Sequence, residues 1–192
     1  GYLKTKNSID IDCNGKIQSV EADKIIIATG ARPKRIPGLN SDAKGVLTAK
    51  QAMLLEHPPK DIIIIGSGAI GIEFAYYFNE FGTTVYIVEM MNRLLPNEDL
   101  EVSEEIEKNF KKAGIKIIKN KKVLKIESMK TKTKVHLDYK KSKETITAEK
   151  VLLAVGVTGN VENLGLEKLG IKTDNGAITC LLYTSPSPRD ED

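Results

Sequence analysis

Tryptophan is absent from this 192-residue chain, aromatic residues make up 5% of it, and histidine occurs twice. With neither a stacking platform nor a dominant basic face, nucleic acid is not an expected partner. The net charge of +3, from 29 basic and 26 acidic residues, describes a mixed surface. Cysteine is as scarce: Cys13 and Cys180 stand at opposite ends, which excludes a disulfide framework and a CxxC metal or redox motif. No metal site is expected. Apolar runs fall far short of the ~20 residues that cross a bilayer, so no membrane partner is expected either. No initiator Met, signal peptide or transit sequence precedes Gly1, so the chain is expected to be a fragment or processed piece of unassigned compartment.

What is present is a regular alternation of elements. Ser8 to Ile11 and Ile17 to Glu21 flank Asn14-Gly15, a pair that tolerates positive φ and favours a hairpin. DKIIIATGA, Asp23 to Ala31, reads as a strand buried on both faces, and RPKRIPG after it as an extended connector. Thr48 to Leu55 forms a short helix capped by Thr48. The run Ile62 to Ile65 starts a central unit, followed by a helix over Ala69 to Phe81 in which Ile70, Phe74, Tyr77, Phe78 and Phe81 recur at helical spacing. Thr83 to Met90 is a second strand, Val102 to Ala113 a second helix, and Ile115 to Ile118 a third strand. Val123 to Glu127, Lys134 to Tyr139 and Glu144 to Thr147 make an antiparallel meander. KVLLAVG, Lys150 to Gly156, repeats the pattern of DKIIIATG: charge, apolar run, small residue, glycine. Two such strands bracketing a βαβαβ unit predict an α/β domain inserted between two chain crossings. From Cys180 onward the Ser-Pro pairs and lost periodicity predict a non-native tail.

Within the central unit, GSGAIG places Gly66, Gly68 and Gly71 between a strand and a helix. The first allows a tight turn, the second lets backbone approach a pyrophosphate, and the third lets the helix pack on its strand. Unsatisfied N–H groups of the glycine loop and the first helical turn, in Ser67, Ala69, Ile70 and Ile72 as well as the glycines, favour negative charge. Glu89 follows about twenty residues later at the end of the second strand. A carboxylate there accepts both hydroxyls of an adenosine ribose and repels a 2′-phosphate, which predicts NAD over NADP. Glu73, placed by spacing in the first helical turn, has two readings: an acid complementing the helix dipole, or a group near the redox end of the cofactor.

Taken together, IIIATGARP, the stretch from IIIIGSGAIGIEF through VEMMNRLLPNEDLEVS, and GLEKLGI resemble the pyridine nucleotide–disulfide oxidoreductases, over about residues 1 to 178. Within that family they are most similar to the branch that reoxidises dihydrolipoamide. The resemblance implies a Rossmann-like NAD-binding domain with an antiparallel meander, inserted in a split FAD-binding domain. Residues 1–31 then end the first FAD segment, 32–58 are connector and short helix, 59–155 the NAD domain, 156–179 the return, and 180–192 the tail. It also implies that Thr29, Gly30 and Ala31 touch FAD, that Gly1 does so through its backbone, and that Glu73 pairs with a flavin-proximal lysine. Val123 is implied to meet the adenine and Gly156 the nicotinamide portion. Where the family reads A-x-G-R-x-P-N, AVGVTGN replaces Arg and Pro with Val157 and Gly159.

The family's redox cysteine pair, its N-terminal FAD glycine motif and its His–Glu dyad match nothing here, and His57 and His136 do not stand in for the dyad. No catalytic residue is therefore assigned. For the intact protein the resemblance implies electron flow from dihydrolipoamide through cysteines and FAD to NAD⁺. It also implies a homodimer and a lipoyl-bearing partner of a 2-oxo acid dehydrogenase or glycine cleavage complex. An NADH oxidase, a coenzyme A-disulfide reductase and a nucleotide-binding module without turnover are the alternatives.

Overall fold

Four consecutive isoleucines in one strand need cover on both of its faces. The computed structural model, which describes residues 1–139 and 142–180, shows Ile62, Ile63, Ile64 and Ile65 all buried. In chain order, β1 (Tyr2–Thr5), β2 (Ser8–Cys13) and β3 (Lys16–Glu21) form an antiparallel sheet. β4 (Ala31–Pro33) and β5 (Val46–Leu47) precede the short helix α1 (Ala49–Met53). Then come β6 (Asp61–Ile65), α2 (Ala69–Glu80), β7 (Thr84–Val88), α3 (Leu100–Lys112) and β8 (Lys116–Ile118). The meander is β9 (Val123–Ser128), β10 (Thr133–Tyr139) and β11 (Ser142–Ala148), after which β12 (Lys150–Leu153) returns to the main sheet. β13 (Val157–Gly159), a 3₁₀ turn and the small hairpin of β14 (Thr173–Asp174) and β15 (Ala177–Ile178) complete the described chain.

The chain divides into two compact units, one of Pro33–Gly156 and one of Gly1–Arg32 with the chain from Val157 onward. In the first, five parallel strands lie in the order β5-β12-β6-β7-β8. Side chains alternate across this sheet. Ile62, Ile64, Val85, Ile87 and Leu152 pack with Phe78 and Phe110 from the helices. Ile63, Ile65, Val88, Val151 and Leu153 pack with Ile126, Val135 and Leu137 from the meander. Helices on one face and an antiparallel sheet on the other bury both sides, which makes this a mixed α/β fold around a parallel sheet.

In the second unit β2 and β3 pair around Asn14-Gly15, whose φ angles of 55° and 84° suit that turn. β13 pairs with β4. Among the described residues no helix is long and apolar enough to cross a membrane.

Two expectations are corrected. The segment Lys24 to Gly30 forms no strand and is not buried; Ile26 is 90% exposed. KVLLAVG has the same pattern and lies between β5 and β6, so pairing and not composition decides the difference. The apolar spacing of α2 also divides. Phe78 is buried, whereas Tyr77 and Phe81 are exposed and meet in a tilted ring contact at 4.8 Å, because the sheet contacts the stripe of Ile72, Ala75 and Phe78 instead. The expected tail lies outside the described residues from residue 181 on.

Candidate functional site

The C-terminal ends of β6, β7 and β12 lie side by side in the parallel sheet, where α/β folds place their ligand crevices. A cleft of about 440 Å³ opens there. Gly66, Ser67, Gly68, Ala69 and Ile70 line it from the turn between β6 and α2, Glu89 from the end of β7, and Gly156 from beyond β12. This volume falls within the range of small-molecule sites.

The three loop glycines answer to different constraints. Gly66 has φ 101°, and a side chain there would collide with the Ala154 carbonyl. A side chain at Gly71 would collide with the carbonyl of Gly66. Gly68 has nothing within 4 Å of where a Cβ would be, so the fold itself does not demand glycine there. Gly68 is also the N-cap of α2 and offers no side-chain cap, which leaves the first-turn N–H groups of the cleft-lining Ala69 and Ile70 uncapped. An anion fits this cradle.

Glu89 is buried although it carries a carboxylate. Its Oε2 accepts from the Ser67 N–H at 2.9 Å and from the Ser67 hydroxyl at 2.7 Å, and its Oε1 accepts from the Met91 N–H at 2.9 Å. Of the roughly four acceptor positions of a carboxylate, one remains, on Oε1. The two ribose bonds expected from the sequence therefore exceed what this arrangement offers. The backbone of Glu89 is fixed as well, donating to Ile118 O and accepting from Lys121 N–H.

The remaining expected residues fall elsewhere. Gly71 and Ile72 are buried on α2 behind the cleft. Glu73 is the fifth residue of α2, beyond its first turn, which corrects the first-turn placement; it is exposed and its carboxylate forms no bond to a described residue. Val123 is a core residue of β9, and Gly1 is exposed. Thr29, Gly30 and Ala31 are exposed. The Thr29 hydroxyl donates to Asn160 O at 2.7 Å, the Asn160 side chain donates to Thr29 O at 3.0 Å, and the Asn160 N–H donates to Gly30 O at 2.9 Å. Sequence reasoning gave Asn160 no role. It also missed Ile36, Met90, Met91 and Asn97, which line the cleft; only their nearness to Glu89 signals Met90 and Met91.

The family model "Pyridine nucleotide-disulphide oxidoreductase" matches residues 2–183. The dihydrolipoyl dehydrogenase of Bacillus subtilis is 45% identical over 158 residues, covering 81% of this chain and 33% of that protein. That of Mycobacterium tuberculosis is 42% identical over 180 residues, covering 93% and 39%. The chain spans about a third of the length of such curated relatives. Among solved structures, the HOCl-induced flavoprotein disulfide reductase RclA of Escherichia coli superposes with a TM-score of 0.81 at 27% identity, covering 94% of this chain and 40% of that one. LpdA of Mycobacterium tuberculosis gives 0.75 at 29% identity, covering 85% and 35%.

Proposed function

The chain belongs to the pyridine nucleotide-disulphide oxidoreductase family, and from that premise we propose that the cleft at the ends of β6, β7 and β12 binds NAD. The observation that carries this reading is the buried Glu89 carboxylate beside a glycine loop whose middle glycine faces open space. The α2 N-terminus holds the pyrophosphate, and Glu89 Oε1 accepts from the adenosine ribose. Gly156 and the residues after β12 extend toward the nicotinamide portion. A 2′-phosphate would meet the Glu89 charge, so NADP is disfavoured.

In the whole protein we propose dihydrolipoyl dehydrogenase activity, in which a cysteine pair and FAD carry electrons from dihydrolipoamide to NAD⁺. The 45% identity to the Bacillus subtilis dihydrolipoyl dehydrogenase supports this over the other disulfide reductases of the fold. Under this reading the partner is a lipoyl-bearing protein of a 2-oxo acid dehydrogenase or glycine cleavage complex. Gly1–Arg32 and the chain after Val157 are then parts of a split FAD domain, with Thr29, Gly30 and Ala31 beside FAD. The contribution of this region is orientation: the loop and Glu89 fix one end of the dinucleotide, and Glu73 and Gly156 serve the other.

Substituting Glu89→Arg tests the assignment. Titration should show weaker NADH binding and stronger NADPH binding than in the unmodified chain, and an unaltered preference would refute the ribose role.

A further inference from the structure

Ser67 has no exposed surface, and all of its polar groups are engaged inside the fold. Its N–H and hydroxyl both donate to Glu89 Oε2, at 2.9 and 2.7 Å, and its carbonyl accepts from the Leu95 N–H at 2.9 Å. Leu95 has φ 45°, in the left-handed region that a bulky side chain rarely adopts. Its carbonyl in turn accepts from the Ser103 hydroxyl at 3.3 Å. Ser67 is thus a junction between the glycine loop, the end of β7 and the segment that leads into α3.

The consequence for Glu89 is specific. Two donors from one residue fill Oε2, while Oε1 of this cleft-lining residue has one donor and a single open acceptor position. Without the Ser67 hydroxyl, backbone N–H groups alone would hold the carboxylate, one bond on each oxygen, and Oε2 would regain an open acceptor position.

We propose that Ser67 is a positioning residue for nucleotide selectivity: by occupying Oε2 it locks the Glu89 carboxylate so that Oε1 takes one ribose hydroxyl and the charge stays where a 2′-phosphate would sit. This rests on the NAD reading of the cleft. Ser67 acts through Glu89 and not by touching the nucleotide.

The test is calorimetric titration of the 192-residue chain with ADP-ribose and with ADP-ribose 2′-phosphate, which report binding without any turnover. Ser67→Ala should bind ADP-ribose at least about tenfold more weakly, as expected for one hydrogen bond to a charged group, and should bind the 2′-phosphate form no more weakly than before. Selectivity then falls by at least that factor. Ser67→Cys keeps the volume with a weaker donor and should fall between the two. In a Glu89→Gln background, Ser67→Ala should change the selectivity no further. A Ser67→Ala chain with unchanged selectivity, or with both affinities lowered equally, overturns the positioning role while the cofactor reading stands. A chain with Ser67 intact that is indifferent to the 2′-phosphate overturns both.

Discussion

At the residue scale, Gly66 and Gly71 serve the chain, and Gly68 serves whatever occupies the cleft. Gly66→Ala and Gly71→Ala should each destabilise the protein by more than ~2 kcal/mol, since a Cβ meets backbone carbonyls that cannot move aside. Urea denaturation of the two variants checks this. The glycine spacing and the acid after the second strand were legible because both are local. The separate roles of the three glycines were read from the same spacing, but the atom that excludes a side chain at Gly66 was not, because it is the Ala154 carbonyl, which β12 brings alongside β6. The Ser67–Glu89 bonds were hidden for the same reason: nothing in the spacing says that a hydroxyl will fill the carboxylate's inner oxygen.

At the scale of elements, local signals held where they were complete within one turn of chain. Thr48 and Gln51 form a capping box at α1, with the Thr48 N–H donating to the Gln51 side chain at 2.8 Å. Thr48→Ala should cost about 1 kcal/mol, measurable as a lower unfolding midpoint. Gly82 and Gly114 follow α2 and α3 with φ of 77° and 84°, the left-handed conformation in which helices commonly end. Signals that depend on neighbours were less readable. DKIIIATG and KVLLAVG share a pattern, yet only KVLL finds strands on both sides and becomes part of a sheet. Tyr77 and Phe81 likewise satisfy helical spacing while facing away from the sheet.

At the scale of the whole molecule, the chain leaves and re-enters one compact unit beside two glycine-ended apolar runs, and the cleft belongs to the parallel sheet inside that unit. Acid should loosen the fold through its ion pairs. Glu107, bonded by Lys111 and then Lys119, is held below its usual value of 4.5. Lys125 and then His136 lower Glu127 to about 2, and Arg32 lowers Glu162 to about 2. A carboxyl whose folded value is depressed stabilises above its unfolded value, and that contribution is lost as pH falls through the folded value. The urea midpoint should therefore drop between pH 4.5 and 2, and a constant midpoint across that window would contradict these pairings.

The proposal that the cleft is an NAD site is tested most directly at Gly68. Calorimetric titration with NADH should give saturable binding to the unmodified chain and at least ~10-fold weaker binding to Gly68→Ala. Because no protein atom lies near the added methyl, the two chains should unfold at the same temperature. Equal NADH affinity in both would contradict the placement of the dinucleotide against this loop.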